Sequence, residues 1–320
     1  MNKGPMSGWL HALDEAFQTV SIALNVFLQR RRADVERVLG YPRLRRRFKR
    51  QVGYVPDFDL PTTMNEKINW RKLHDRAAVY QVIADKVRLR DYLVARFGAE
   101  WADAVLPRRR LVTKHPTAMN LAAAGTGVAI KPNHGSGWVR IVPGTATPDW
   151  QLIAKEARLW LRKRYGLRQI EWAYWAIEPQ IMVEELVLGA DGQPAQDVKF
   201  AVMDGVCVYI FVEQDRFGDH RLSYYEPDWT PLHLAMGSNP VAAHQTAPRF
   251  LAEMRDFAEE IGRDFDYIRV DFLCGAQEWK LNELTMYRSS GLAAFDPAHL
   301  DLHFGKTWKH RPYQGIWKAK

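Results

Sequence analysis

Two runs rich in β-branched and aromatic residues, "QDVKFAVM" and "VCVYIFVEQ", flank Asp204-Gly205, and no other stretch narrows the possible folds of this chain as much. Asp-Gly tolerates the positive φ angles of a two-residue turn, and its neighbours suit a pleated surface, so the stretch predicts an antiparallel hairpin. A second hairpin is expected from "YIRVDFL" (267–273) and "WKLNELT" (279–285), joined around Gly275. Between them "APRFLAEMRDFAEEIGRDF" sets Leu251, Met254, Phe257, Ala258 and Ile261 on one helical stripe. Helices mixed with antiparallel hairpins, without strict β-α-β alternation, predict an α+β fold over a Rossmann sheet.

Further helices are predicted over "MNEKINWRKLHD", with Thr63 as its cap, over "VIADKVRLRDYLVARFG" ending at Gly98, and over "DWQLIAKEARLWLRKRYG". "GVAIKPNHGSGWVRIV" reads as strand, glycine turn and strand, and "IEPQIMVEELVLG" as extended. Residues 1–60 form a basic helical arm, in which "QRRRADVERVLGYPRLRRRFKR" carries ten Arg or Lys against two acids. Its plain reading is a solvated helix face; its functional reading is docking on a membrane surface or a polyanion. The organisation expected is an arm at 1–60, a helical lead at 61–115, a domain at 116–305 with lobes of about 116–185 and 186–305, and a tail at 306–320.

A chain of 320 residues, 47% hydrophobic, fits one large domain or two to three small ones, and its net charge of +8 favours anionic partners. Cys207 and Cys274 form no C-x-x-C pair, so neither a disulfide framework nor a cysteine zinc site is expected, and a reducing cytoplasm is the simplest setting. "AFQTVSIALNVFLQ" (16–29) is too short to span a membrane, and its acids come first and its arginines last, the reverse of a signal peptide.

Within the second hairpin, Asp271 and Glu283 interrupt apolar runs. A turn of odd length centred near Gln277 makes them cross-strand neighbours with Cβ atoms roughly 5 Å apart. A turn of even length pairs Asp271 with Asn282 or Lys280 and sends Glu283 to the other face. Opposed carboxylates repel by about 4 kcal/mol at an effective dielectric of 20, so they need a counter-charge. A bridging divalent cation such as Mg²⁺, or Arg269 on the same strand face, would supply it; a surface pair neutralised by Arg269 and Lys280 is the plain alternative.

Upstream, Lys131 ends an apolar strand and opens a loop whose Gly135 and Gly137 let backbone approach phosphate oxygens closely. Neither this loop nor "LHFGKT" is a Walker A sequence. Asp197 and Lys199, two apart on one strand, could bind ribose and phosphate or each other. Arg216, His220 and Arg221 gather in a polar loop after a strand.

Together and in this order, the pieces resemble the ATP-grasp superfamily. "ADKVRLRDYL" looks like its early Asp-Lys helix, "AIKP" with "HGSG" like its phosphate lysine and glycine loop, "IMVEEL" like its adenine-facing hinge, and "IRVDFL" with "LNELT" like its magnesium pair. "MNEKINWRKLHDR", "VKFAVMDG", "QDRFGDHRLSYYEPDW" and "NELTMYRSSG" are similar to blocks of the TupA-like subfamily, associated with teichuronopeptide and other surface-polysaccharide synthesis. The resemblance covers about 60–305 and implies two α+β lobes with antiparallel sheets clasping ATP.

It also implies roles. Lys86 and Lys131 would contact ATP phosphates, beside the loop of His134, Gly135, Ser136 and Gly137. Glu184, Glu185 and Leu186 would meet adenine, Asp197 the ribose and Lys199 the phosphates. Arg269 would stabilise the transferred phosphoryl group. Asp271 and Glu283 would hold Mg²⁺, with Thr285 where the wider superfamily has an Asn ligand; the subfamily shares the threonine. Ser289, Ser290 and Gly291 would bind the substrate carboxylate or acyl phosphate, and Arg216, His220 and Arg221 would grip the acceptor anion.

The activity implied is ATP-dependent carboxylate-amine ligation through an acyl phosphate, with ATP and Mg²⁺ as cofactors and a surface polysaccharide or its precursor as the target. Asp271→Asn or Glu283→Gln is expected to abolish turnover with the fold intact. Three other readings are open: a kinase of a sugar or lipid-linked hydroxyl on the same fold, a glycosyltransferase using Asp264-Phe265-Asp266 as a D-x-D triplet, and nucleic-acid binding. No recognisable nucleic-acid module accompanies the charge, so no specific nucleic acid is expected. His299 and His303 lack the H-E-x-x-H glutamate and are expected on a helix face.

Overall fold

The computed structural model of the chain describes residues 5–214, 220–311, 313, 315 and 317. Helices α1 (Pro5–Val38), α2 (Pro42–Val52), α3 (Met64–His74), α4 (Val79–Ala84), α5 (Leu89–Phe97) and α6 (Ala99–Val105) come first. There follow β1 (Arg109–Thr113), α7 (Ala118–Ala123), β2 (Val128–Pro132), β3 (Arg140–Val142), α8 (Trp150–Arg162) and β4 (Ile181–Glu185). The rest comprises β5 (Gln196–Met203), β6 (Val206–Gln214), β7 (Arg221–Tyr225), β8 (Ala235–Met236), α9 (Leu251–Gly262), β9 (Ile268–Cys274), β10 (Trp279–Thr285), β11 (Phe295–Asp296) and α10 (His299–Thr307). Two compact units result, one of Met1–Pro42 with Arg110–Val183, the other of Arg43–Arg109 with Glu184–Lys320.

The first unit is built on a four-stranded sheet of order β1-β4-β2-β3. Val128 and Ile130 of β2, with Ile181 and Val183 of β4, are buried with Ile153, Ala154, Ala157 and Trp160 of α8. That helix starts at Trp150 because the Asp149 carboxylate accepts the Leu152 N–H at 3.0 Å. Helix α1 lies along α8 in the same unit.

The second unit holds a five-stranded antiparallel sheet of order β10-β9-β5-β6-β7. Asp204 and Gly205 make the β5–β6 turn with φ of 50° and 79°, the positive values that their side chains permit. Alternation divides the sheet into two buried faces. Val198, Phe200, Val270 and Phe272 share the face toward α9, whose Met254, Phe257, Ala258 and Ile261 are buried and whose Leu251 is half-buried. The other face carries charge.

Helix α3 is fixed by a capping box in which the Thr63 hydroxyl accepts the Glu66 N–H at 3.2 Å and the Glu66 carboxylate accepts the Thr63 N–H at 3.1 Å. The single helix expected over 82–97 is instead two, α4 and α5, parted by a turn at Asp85–Arg88. The Asp85 carboxylate takes the N–H groups of Val87 (2.9 Å) and Arg88 (3.4 Å), offering the backbone an alternative to helical bonds. Lys86 therefore stands in a turn and not on a helix.

The β9–β10 hairpin reconciles the two registers left open by sequence. Its connection, Gly275–Glu278, is even, and Lys280 pairs with Leu273 and Leu281 with Phe272; a bulge then intervenes at Asn282, and Glu283 faces Asp271. One extra residue on β10 restores what the even turn would have undone.

Candidate active site

The register lines up one row across all five strands of the second unit: Glu283, Asp271, Lys199, Phe211 and Tyr224. A neighbouring row holds Thr285, Arg269, Ala201 and Tyr209. The surface-pair reading fails, because Asp271 has no exposure and Lys199 only 2%. Lys280 meanwhile turns to Glu278 and the Ala104 carbonyl. Arg269 grips Asp271 in a fork, Nε to Oδ1 at 2.6 Å and Nη2 to Oδ2 at 2.5 Å. The Lys199 Nζ donates to Asp271 Oδ2 at 2.9 Å and lies 3.4 Å from Asp197 and 3.7 Å from Glu213. The Lys86 Nζ reaches Glu283 Oε2 at 2.9 Å, and Arg269 reaches Glu283 Oε1 at 3.4 Å.

Lys199, Arg269 and Glu283 are each held in the charged form by their neighbours. Burial works against the Lys199 ammonium, but Asp197, Asp271 and Glu213 outweigh it and raise its pKa above the ordinary lysine value. The Arg269 pKa likewise stands well above its ordinary value: burial opposes the charge, and the Asp271 carboxylate overcomes it. For Glu283, burial pushes upward but Lys86, Arg269 and Lys199 hold the carboxyl far below the usual range. Burial dominates at Asp271 and raises its pKa against the pull of Arg269 and Lys199. Such a cluster is costly to desolvate and is stable only with every partner in place.

Sequence reasoning singled out Lys86, Asp197, Lys199, Arg269, Asp271, Glu283 and Thr285, and all seven meet here. The Thr285 hydroxyl accepts from Arg269 Nη2 at 3.1 Å. It missed Glu213 and Asn282, whose Nδ2 donates to Asp197 Oδ1 at 3.3 Å. A visible signal existed for Asn282: in "LNEL" two polar residues separate two leucines, and Leu281 and Leu284 lie opposite Phe272 and Val270 on one face, whereas strict alternation would put them on opposite faces.

The anion-gripping trio does not assemble as expected. His220 Nε2 lies 3.8 Å from Glu213, at the edge of the cluster. Arg221 pairs with Gln214 in the register, which turns it to the face opposite Phe211 and Tyr224, and it is exposed. Arg216 lies outside the described residues.

The turn at Ser289, Ser290 and Gly291 has three successive positive φ angles, 44°, 58° and 62°. It is held from α3, where Lys72 Nζ donates to the Ser290 carbonyl at 2.8 Å and Asn69 Nδ2 to the Gly291 carbonyl at 2.7 Å. The Ser290 N–H donates to the Tyr287 carbonyl at 2.8 Å, so it is already engaged and is not a free donor for a substrate oxyanion.

In the first unit, Lys131 is buried near the end of β2, on the face opposite Val128 and Ile130. The loop beyond it has Gly135 at φ 153°, with the Trp138 ring 2.9 Å from where a Cβ would stand, and Gly137 at φ 79°. Ser136 and Gly137 are exposed. His134 is buried and braces the loop, its Nε2 3.1 Å from the Lys163 carbonyl oxygen and its Nδ1 3.3 Å from Asn133 Oδ1. Glu184, Glu185 and Leu186 follow in the second unit; Glu184 is buried, and the Glu185 N–H donates to the Arg108 carbonyl at 2.9 Å.

The D-x-D triplet has structural employment. Asp264 accepts from the Tyr92 hydroxyl at 2.7 Å, and Asp266 takes the buried Arg71 and the Trp308 indole N–H, the latter at 2.7 Å. His299 and His303 lie on α10, as expected.

For a metal, the fit rests on the donor set. Asp271 and Glu283 are opposed carboxylates on adjacent strands, with the Thr285 hydroxyl beside them. Mg²⁺ suits one or two carboxylates completed by phosphate oxygens and water, so this pair fits it.

A charged row on an antiparallel sheet, in an α+β chain with a separate lysine and glycine-loop unit, has the features of the ATP-grasp class. The family model described as TupA-like ATPgrasp matches residues 66–309, and the chain belongs to that family. ATP-grasp enzymes use ATP and Mg²⁺. Among solved structures, the ATP-grasp ligase PsnB complexed with minimal precursor is 16% identical with a TM-score of 0.35, the match covering 65% of this chain and 52% of that one. D-alanine–D-alanine ligase from Bacillus anthracis complexed with ATP is 15% identical with a TM-score of 0.37, covering 64% and 56%. The RimK domain protein ATP-grasp from Sphaerobacter thermophilus is 15% identical with a TM-score of 0.38, covering 72% and 68%. The match thus spans about half the length of the first of these. No curated protein matches the sequence.

Proposed function

We propose that this chain is an ATP- and Mg²⁺-dependent carboxylate-amine ligase that works through an acyl phosphate and joins an amino acid or amine to a surface polysaccharide or its precursor. The observation that carries the reading is the buried row in which Lys199 and Arg269 bond Asp271, and Lys86 and Arg269 reach the opposed Glu283. When bound, Mg²⁺ would be held by Asp271 and Glu283, with Thr285 a weaker donor, and would offset phosphate charge.

The chain's own residues do the positioning. Lys199, Lys86 and Lys131 meet ATP phosphates, with Asp197 on the ribose and Glu184, Glu185 and Leu186 at the adenine edge. His134, braced on Lys163, supports the loop of Gly135, Ser136 and Gly137, whose backbone approaches the phosphates. Arg269 supplies a fixed cation to the phosphoryl group as it passes to the substrate carboxylate; the amine then displaces phosphate to form the amide. Ser289 and Gly291 frame the carboxylate side of the reaction, and His220, beside Glu213, attends the anionic acceptor. None of these side chains acts as a covalent nucleophile.

The protein works in the cytoplasm, with α1 on the inner membrane face. Supporting this, Val20, Leu24 and Phe27 are exposed on one stripe of that helix, followed by Arg30, Arg31 and Arg32. Among the described residues no helix is long and apolar enough to cross a membrane.

The test is ADP release by the purified chain with Mg²⁺, ATP, uronic acids and amino acids. Turnover that requires carboxylate and amine together, and disappears in Glu283→Gln, supports ligation. ATP consumption with phosphate retained on a hydroxyl product, without an amine requirement, would replace it with a kinase.

A further inference from the structure

Arg288 stands apart from every other buried arginine of the charged sheet. It is 4% exposed, yet among the described residues no carboxylate pairs with it. Arg71 has Asp266 and Arg269 has Asp271, whereas Arg288 packs its guanidinium 5.2 Å from the Phe211 ring centroid and 5.9 Å from that of Tyr209. Among the described residues its only polar contact is a long donation from Nη2 to the Tyr224 hydroxyl at 3.3 Å. Among the described residues its Nε finds no acceptor, and neither the Tyr209 nor the Tyr267 hydroxyl has a partner. Phe211 and Tyr224 belong to the row of Lys199 and Asp271, Tyr209 to that of Arg269, and Arg269 itself lies 5.7 Å from the same Phe211 ring.

Burial raises the pKa of all three phenols, and the Arg288 cation is the largest opposing influence on each; they stay protonated and can donate. One cation, a guanidinium N–H without an acceptor and neighbouring phenol hydroxyls make a group of donors that lacks one negative charge. A buried ion in that condition is expensive, and a carboxylate restores both charge and hydrogen bonds. A phosphate dianion would need a second free cation, and Arg269, the nearest, is committed to Asp271.

We propose that Arg288, with the hydroxyls of Tyr209, Tyr224 and Tyr267, is a carboxylate-recognition site adjoining the charged row, which takes a carboxylate of the organic substrate. It rests on the ligase reading for the substrate's identity, not for the existence of the site.

The test uses acetate as the probe. Crystals of the full chain are soaked in sodium acetate and, separately, in sodium phosphate, and thermal midpoints are followed against acetate with chloride matched. Acetate bound at Arg288 Nε and the phenols, with at least tenfold weaker stabilisation in Arg288→Met, is the expected result. Water alone at Nε, or phosphate in preference to acetate, overturns the proposal. Should Arg288→Met fail to fold, Tyr209→Phe and Tyr267→Phe decide. Each removes only an unpartnered hydroxyl, so acetate stabilisation should weaken several-fold while the midpoint without acetate holds or rises; hydroxyls with a purely structural role would instead lower that midpoint and leave the acetate response unchanged. ADP with Mg²⁺ runs alongside on the wild type. If it gives no stabilisation while acetate binds, the ligase reading falls and the carboxylate site stands.

Discussion

Replacing Asp271 by Asn removes the one carboxylate to which Arg269 and Lys199 both donate, at 2.5–2.9 Å, on a side chain with no exposure. The amide keeps the shape but leaves two buried cations short of a counter-charge. Breaking a buried pair from one side costs about 3–5 kcal/mol, far more than a surface pair. For a unit of this size that lowers the thermal midpoint by roughly 10 °C or more. The sequence-based expectation that this substitution leaves the fold intact therefore changes: the variant should lose activity and stability together. Glu283→Gln breaks a contact with Lys86 on a side chain 20% exposed, and should cost about 1 kcal/mol. Thermal and urea unfolding of both variants, without nucleotide, measures the contrast. Adding Lys199→Met to Asp271→Asn should recover more than about 1 kcal/mol relative to additivity. A midpoint for Asp271→Asn within a degree of wild type would refute the buried-cluster energetics, because the cations would then be satisfied some other way.

Three other outcomes are expected. Burial, aided by Lys67, pushes the His310 pKa down to about 4, so the imidazole stays neutral in the folded chain while the unfolded chain protonates near pH 6.5. Its contribution is complete above pH 6.5 and is lost as pH falls toward 4; urea midpoints of His310→Gln should fall less between pH 7.5 and pH 5 than those of wild type. Gly305→Ala would set a Cβ 2.2 Å from the Thr62 carbonyl oxygen and 2.6 Å from the Thr63 Cα, backbone that cannot yield, and should destabilise the α10–α3 contact by about 3 kcal/mol in urea unfolding. Burial raises the thiol pKa of both Cys207 and Cys274, so a thiol reagent at pH 8 should label the native chain slowly and the denatured chain at once.

What the sequence disclosed was mostly local. Asp204-Gly205, the Thr63 cap and the α9 stripe each depend on neighbours within a few residues, and each is in place. The break at Asp85 was local too, but a helical period on both sides concealed it. The pairing of Asp271 with Glu283 depends on a turn and a bulge acting together, which no count along one strand resolves. The isolation of Arg288 depends on partners as far away as Tyr209 and Tyr224, and long-range packing leaves no period to read. Arg221 was nearer to legible: in "RLSYY" it stands three residues before Tyr224, an odd spacing that already separates their faces.

The bulge at Asn282 also bears on how freely such a hairpin can vary. Turn length and bulge together set a reading frame, the one extra residue on β10 absorbing the offset that an even turn leaves between the two acids. Deleting Asn282 alone would remove the bulge and let Glu283 follow Leu281 directly, still opposite Asp271, with Leu284 still opposite Val270 on the α9 face. A change of parity in one segment can thus stay silent when it is answered in another, so length differences between related hairpins are informative only when the turn and β10 are counted together.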